Sequence, residues 1–162
     1  MYVRKIPILL LIILLISLQK LEAKCAGTNC TCGVSAIGVN FGSYNPFSAA
    51  NVDGTATVTV TCSTTGAGVV SYALGLSAGS GTFALRKMIN GANQITYNLY
   101  SDAAHSQIWG DGTSGTSVVT DTYMLILNSS RTINYTVYGR VTGSQNVAVG
   151  TYTDTITVTL VF

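Results

Sequence analysis

Asp154-Thr155-Ile156-Thr157-Val158-Thr159-Leu160-Val161-Phe162 ends the sequence in strict alternation. Ile156, Val158, Leu160 and Phe162 fall on one side; Thr155, Thr157, Thr159 and Val161 fall on the other. Side chains of an extended chain point to opposite faces in turn, and β-branched residues suit a pleated, half-buried surface. The stretch therefore predicts a strand with one buried face. Phe162, apolar and on the inward side, implies that the end of this strand is docked. A strand with so apolar a face needs neighbours, and the rest of the chain must supply them or leave a place for them.

Working back from this strand, the same pattern recurs in short runs punctuated by glycine. Thr57-Val58-Thr59-Val60-Thr61-Cys62 alternates within a strand predicted over 55–63. Val70, Tyr72, Leu74 and Leu76 share a face over 69–77, as do Ile95, Tyr97 and Leu99 over 94–101, and Ile133, Tyr135, Val137 and Val141 over 132–141. Further strands are expected over 33–41 and 118–127, while 83–89 reads as either a short strand or one helical turn. Gly42 to Pro46, Thr64 to Gly68, Gly79-Ser80-Gly81 and Asn90-Gly91 are turn signals. Seven or eight strands at this spacing indicate an all-β sandwich.

The first residues must be set apart before composition is informative. Arg4 and Lys5 precede an apolar run from Ile6 to Ile16, and Leu21-Glu22-Ala23 offers a small residue at a cleavage point. This is the form of a secretory signal peptide over 1–23, and the run is short of the roughly 20 residues that span a bilayer. Lys24 before Cys25 argues against a lipoprotein signal. No membrane span is expected in the mature chain, which divides into a cysteine-containing segment, 24–31, and one domain, 32–162.

Within that mature chain five cations (Lys24, Arg86, Lys87, Arg131, Arg140) balance five acids (Asp53, Asp102, Asp111, Asp121, Asp154). Phosphate binding needs clustered excess Lys and Arg, so a nucleic-acid partner gains no support. Export makes disulfides the expected state of Cys25, Cys30, Cys32 and Cys62. Three connectivities are open. Cys62 ends an alternating run on its inward face and Cys32 begins the first strand, which favours Cys32 with Cys62 and leaves Cys25 with Cys30 in a tight loop. Closing the longer loop is worth roughly 3 to 4 kcal/mol on the chain-entropy account. A four-cysteine zinc site is disfavoured because Cys30 and Cys32 are too close for a ligand knuckle.

Apparent catalytic motifs lack their structural context. Gly75-Leu76-Ser77-Ala78-Gly79 fits the G-x-S-x-G elbow, but that elbow needs a strand-to-helix turn and no helix is predicted after it. His105 is the single histidine and stands in a polar loop. Gly110 to Gly115 fits G-x-G-x-x-G without a βαβ unit around it, and reads as a turn. Asn29, Asn128 and Asn134 begin sequons in form only. No catalytic, cofactor-binding or metal-binding residue is assigned, no cofactor is implied, and an enzyme is not expected.

Two segments carry a more specific likeness. Ile95 to Ala104, continuing through Trp109-Gly110-Asp111-Gly112-Thr113, resembles the central motif of the spore coat protein U domain family. Tyr138-Gly139-Arg140-Val141, Gln145-Asn146 and Gly150-Thr151-Tyr152-Thr153-Asp154-Thr155, followed by Ile156 to Thr159, resemble its C-terminal motif. Cys32 to Ser35, Val39 to Pro46 and the strand from Val58 to Cys62 agree with its beginning. The likeness covers essentially all of 32–162, and the family includes subunits of Csu-type pili assembled by the archaic chaperone-usher route.

That resemblance implies an immunoglobulin-like β-sandwich lacking its final strand, with a hydrophobic groove beside the C-terminal strand. A periplasmic chaperone fills such a groove first, and the N-terminal extension of another pilus subunit replaces it at the outer-membrane usher. On this reading Ile156, Val158, Leu160 and Phe162 line one wall of the groove, and the Cys32–Cys62 pairing fits the family's bridge. The expected location is periplasmic in transit, then the cell surface in a pilus or coat, with a role in attachment and biofilm. A donor strand needs alternating apolar residues ahead of the first domain cysteine, and 24–31 has none. The chain is therefore expected to accept a strand without donating one, as a terminal or minor pilus subunit. The alternative is a secreted spore-coat or surface protein of the same fold that never polymerises.

Overall fold

Alternating Thr and Val make the spine of the molecule. The structure, a computed structural model, describes residues 24–162; the predicted signal peptide lies outside the described residues. Nine strands run in order: β1 Lys24–Cys25, β2 Thr31–Ala36, β3 Val52–Thr64, β4 Gly68–Leu76, β5 Arg86–Asn90, β6 Asn93–Tyr100, β7 Val119–Leu125, β8 Ser129–Val141 and β9 Val158–Val161. Ala56, Val58, Val60 and Cys62 of β3 are buried on one face. On the other face Thr59 donates to Asn134 Oδ1 at 2.9 Å and Thr61 pairs with Thr132 at 3.0 Å. Each face of β3 thus has its own cross-strand partners, and β3 and β8 pair along all of their length, from Val52↔Val141 to Thr64↔Ser129.

Two sheets enclose the core. One has the order β2-β3-β8-β6-β5. The other is centred on β4, with β7 on one edge and both β1 and β9 paired to it. Because β7 occupies Gly68 to Leu74 of one β4 edge, β1 (opposite Val70 and Ser71) and β9 (opposite Ala73 to Leu76) share the other edge. The all-β immunoglobulin-like sandwich is therefore the observed fold. Trp109, fully buried in the long loop after β6, donates its indole N–H to Leu74 O at 2.9 Å and so ties that loop to the core.

Several boundaries differ from expectation. The segment 83–89 resolves as a strand, β5, because Arg86 to Asn90 pairs with β6. Arg86 is fully buried there. Its guanidinium donates to Ser77 O, Trp109 O and Asn98 Oδ1, and burial pulls its pKa down. The first predicted strand, 33–41, keeps strand pairing only to Ala36. The final one, read from Asp154, pairs as a strand only over Val158–Val161, with an isolated bridge Ile89↔Thr153 before it. In both cases the alternation persists beyond the ladder; what stops is the neighbour.

Candidate functional site

The two shortened strands face each other. β2 pairs with β3 on one edge and β9 pairs with β4 on one edge; among the described residues no strand pairs with the opposite edge of either. Between them lies a cleft of about 350 Å³, with Ala36, Ile37, Gly38 and Val39 on one wall and Tyr152, Asp154, Ile156 and Val158 on the other. Its floor includes Ala56, Val58, Leu76, Leu99 and Val137. A second cavity of about 520 Å³ shares Val39, Phe41, Met88 and Tyr152 with the first and extends past Tyr44 and Val147. The two adjoin at these shared residues, and apolar side chains predominate in both linings.

A pair of glycines sets the position of the first wall. Gly54 and Gly139 are register partners in β3 and β8. A Cβ on Gly139 would lie 2.7 Å from the Phe41 ring, and one on Gly54 would lie 2.9 Å from Val39 Cγ1. Only glycines let Val39 and Phe41 lie directly on the sheet. The Phe41 ring in turn meets Tyr97 edge-on at 5.8 Å.

Asp154 fixes the second wall. Its Oδ1 accepts from Ser80 N at 3.0 Å and from Ser80 Oγ at 2.8 Å, in the turn between β4 and β5. Its Oδ2 accepts from Tyr97 OH at 2.7 Å, on β6. Burial, and then the hydrogen bond to a carboxylate, push the Tyr97 phenol well above its usual pKa. Thr157 N–H donates to Ser77 Oγ at 2.9 Å, holding the next part of the wall.

Of the four residues read from the sequence as a groove wall, Ile156 and Val158 line the cleft. Leu160 is half-buried against the core opposite Leu74, outside the cleft lining. Phe162 is 44% exposed and lines neither cavity. Sequence reasoning missed the opposite wall and Asp154, although Asp154 carried a signal. It is a charged residue at an inward position of an alternating strand.

The cysteines form two bridges, Cys32–Cys62 between register partners of β2 and β3, and Cys25–Cys30 in the N-terminal loop. That loop is held to its own domain. β1 pairs with β4, Ala26 N–H donates to Val69 O at 2.9 Å, and Thr28 O accepts from the backbone of Thr65 and Gly66. The apparent catalytic residues are engaged elsewhere. Ser77 accepts from Thr157 as above, and His105 lies edge-on to Tyr100 and Tyr138 with Nε2 3.9 Å from Asp53. Gly112 and Gly115 take positive φ in a turn. Among the described residues no group of His, Cys, Asp and Glu is placed to hold a metal, and no helix is long and apolar enough to cross a membrane.

An all-β sandwich with an apolar groove between two unpaired strand edges defines the class: a two-sheet immunoglobulin-like domain open along one side. The chain belongs to the Spore Coat Protein U domain family, whose model matches residues 18–159. It is 36% identical over 148 residues to "Protein U" of Myxococcus xanthus, covering 84% of this chain and 79% of that protein. Its fold is similar to a chain of the CsuC–CsuE chaperone–tip adhesion subunit pre-assembly complex from archaic chaperone-usher Csu pili of Acinetobacter baumannii. The TM-score is 0.51 at 20% identity, covering 82% of this chain and 40% of that one. The chain thus spans less than half the length of that solved chain.

Proposed function

We propose that this chain is an exported structural subunit of the archaic chaperone-usher type, and that its groove accepts a β-strand from another polypeptide. The observation that carries the reading is the pair of bare strand edges, β2 and β9, facing each other across an apolar cleft. An incoming strand would pair with the backbone of a bare edge and fill the cleft with alternate side chains. The partners are a periplasmic chaperone first, then another pilus subunit at the outer-membrane usher, and the destination is the cell surface, where the fibre serves attachment and biofilm. Structural chemistry of this kind needs no active site, which agrees with the engaged states of Ser77 and His105.

Residues 24–30 are occupied by their own sheet through β1, the Cys25–Cys30 bridge and the Thr28 carbonyl. This supports a subunit that accepts a strand without giving one, at a fibre end or as a minor component. It equally suits the second reading, a coat or surface protein that never polymerises. Expression of the exported chain alone, with a candidate chaperone, and with a donor-strand peptide separates these readings. Stabilisation by the chaperone or peptide, lost in Ile156→Asp because a charge would be buried in the groove, supports acceptance of a strand. A stable monomer that ignores both would sink it and leave the coat reading.

A further inference from the structure

Asp154 is the one ionisable carboxylate among the cleft-lining residues, and it does not face the cleft as a free charge. Oδ1 is taken by Ser80 in the turn between β4 and β5, and Oδ2 by Tyr97 on β6. One side chain of the groove wall therefore bonds both to the turn between β4 and β5 and to β6, beside the backbone pair that joins Thr153 to Ile89 of β5. The space beside it is tight: a Cβ on Gly79, whose φ is +62°, would overlap Asp154 Oδ2 and lie 2.8 Å from Ile156 Cδ1.

We propose that Asp154 is a specificity-determining strut. By tying its wall to the β4–β5 turn and to β6 it fixes the width of the cleft, so that an incoming strand fits with an aliphatic side chain at the facing position and is rejected with an aromatic one. The occupant is an extended strand of a partner polypeptide, because two bare backbone edges border the cleft and an alternating apolar strand matches its lining. The inference rests on the strand-acceptor reading above. Asp154 acts through the wall that it positions. The hydrogen bonds that it accepts would be covered by the occupant and so strengthened rather than broken.

The test measures selectivity rather than affinity, since a general loss of stability weakens all ligands alike. Alternating Val/Thr peptides carrying Leu or Phe at the central inward position are titrated against the exported chain. The native protein is expected to favour Leu over Phe by about tenfold, the scale of a misfit in a packed site. Asp154→Ala, which removes the carboxylate, should bring the ratio close to one. Tyr97→Phe should also lower the ratio, because it cuts the tie to β6 while removing almost no volume from the cleft. An unchanged ratio in Tyr97→Phe overturns the strut, and a native ratio near one overturns it without any variant. Binding of neither peptide overturns the acceptor reading itself, and the strut with it; binding of both without preference overturns the strut alone.

Discussion

The β3–β8 pair and the stretch around β9 are written in nearly the same residues, yet they end in opposite situations. Thr57 to Cys62 and Thr155 to Phe162 both alternate Thr with branched apolar residues. β3 has a strand on each edge and several side chains below 2% exposure. β9 has β4 on one edge, and among the described residues nothing on the other. Alternation reports which face of a strand is turned inward; it does not report whether its edges are filled. Bare edges are a hazard that folded domains normally cover; on the proposed function, the two that face one cleft are where a partner strand goes.

The largest loss is expected where the core shared by both regions is damaged. Trp109→Ala should destabilise the domain by about 3–5 kcal/mol, because it empties a fully buried site and removes the indole hydrogen bond to Leu74 O. Urea unfolding of the exported chain measures the loss. Gly139→Val should cost less, about 1–3 kcal/mol, as the Phe41 ring is pushed off the sheet toward the cleft. Its larger effect should be on capture of a strand peptide, read by titration. A variant that loses stability but captures normally would show that the Phe41 wall does not shape the groove.

Alkali sharpens the contrast from another side. Burial raises the phenols of Tyr135 and Tyr72 above their usual value and that of Tyr123 to about 12. A folded pKa above the unfolded one contributes stability that is complete below about pH 10 and is lost as pH rises through the folded values. Unfolding should therefore set in above pH 10. Tyr135→Phe, which gives up the bonds to Tyr72 and Asp121, should lower stability at neutral pH by about 1 kcal/mol and blunt the alkaline loss. Circular dichroism against pH follows both.

The smallest effect is expected on the outer face of the closed sheet. Arg140 holds the Asp53 carboxylate through two hydrogen bonds of 2.7 Å, and this bonding lowers the Asp53 pKa. The stability that it adds is present above the unfolded carboxylate range and is lost as pH falls through the lowered folded value. For a solvent-exposed pair, Asp53→Asn should cost less than about 1 kcal/mol at neutral pH, measurable by urea unfolding. A larger cost would mean that the pair also anchors the His105 loop.

Much of this was legible in the residues. Period-two runs found β3, β4, β6 and β8 within a few positions, and the turn glycines separated them. Cys32 and Cys62 stood at facing strand positions, and the family motifs named the sandwich. What sequence could not supply was anything set by a non-local neighbour. Arg86 enters the sequence only as one of five cations; its burial appears once three acceptors from separate segments enclose it. Val39 and Phe41 continue an alternating pattern, but only the Gly54–Gly139 pair, brought together by the β3–β8 register, shows where they lie. Phe162 follows the inward parity and yet is half exposed, because β4 supplies a partner only as far as Val161.

On the proposed function, the two edges bordering the cleft are bare and receive a strand. Hydrogen exchange at the amides of β2 and of residues 152–161, with and without a bound chaperone or donor-strand peptide, tests it most directly. The cleft-facing amides should exchange fast in the free chain and become protected when the partner binds, while β3 and β8 exchange slowly throughout. Protection of those amides in the free chain, or binding that leaves them exchanging as fast as before, would contradict it.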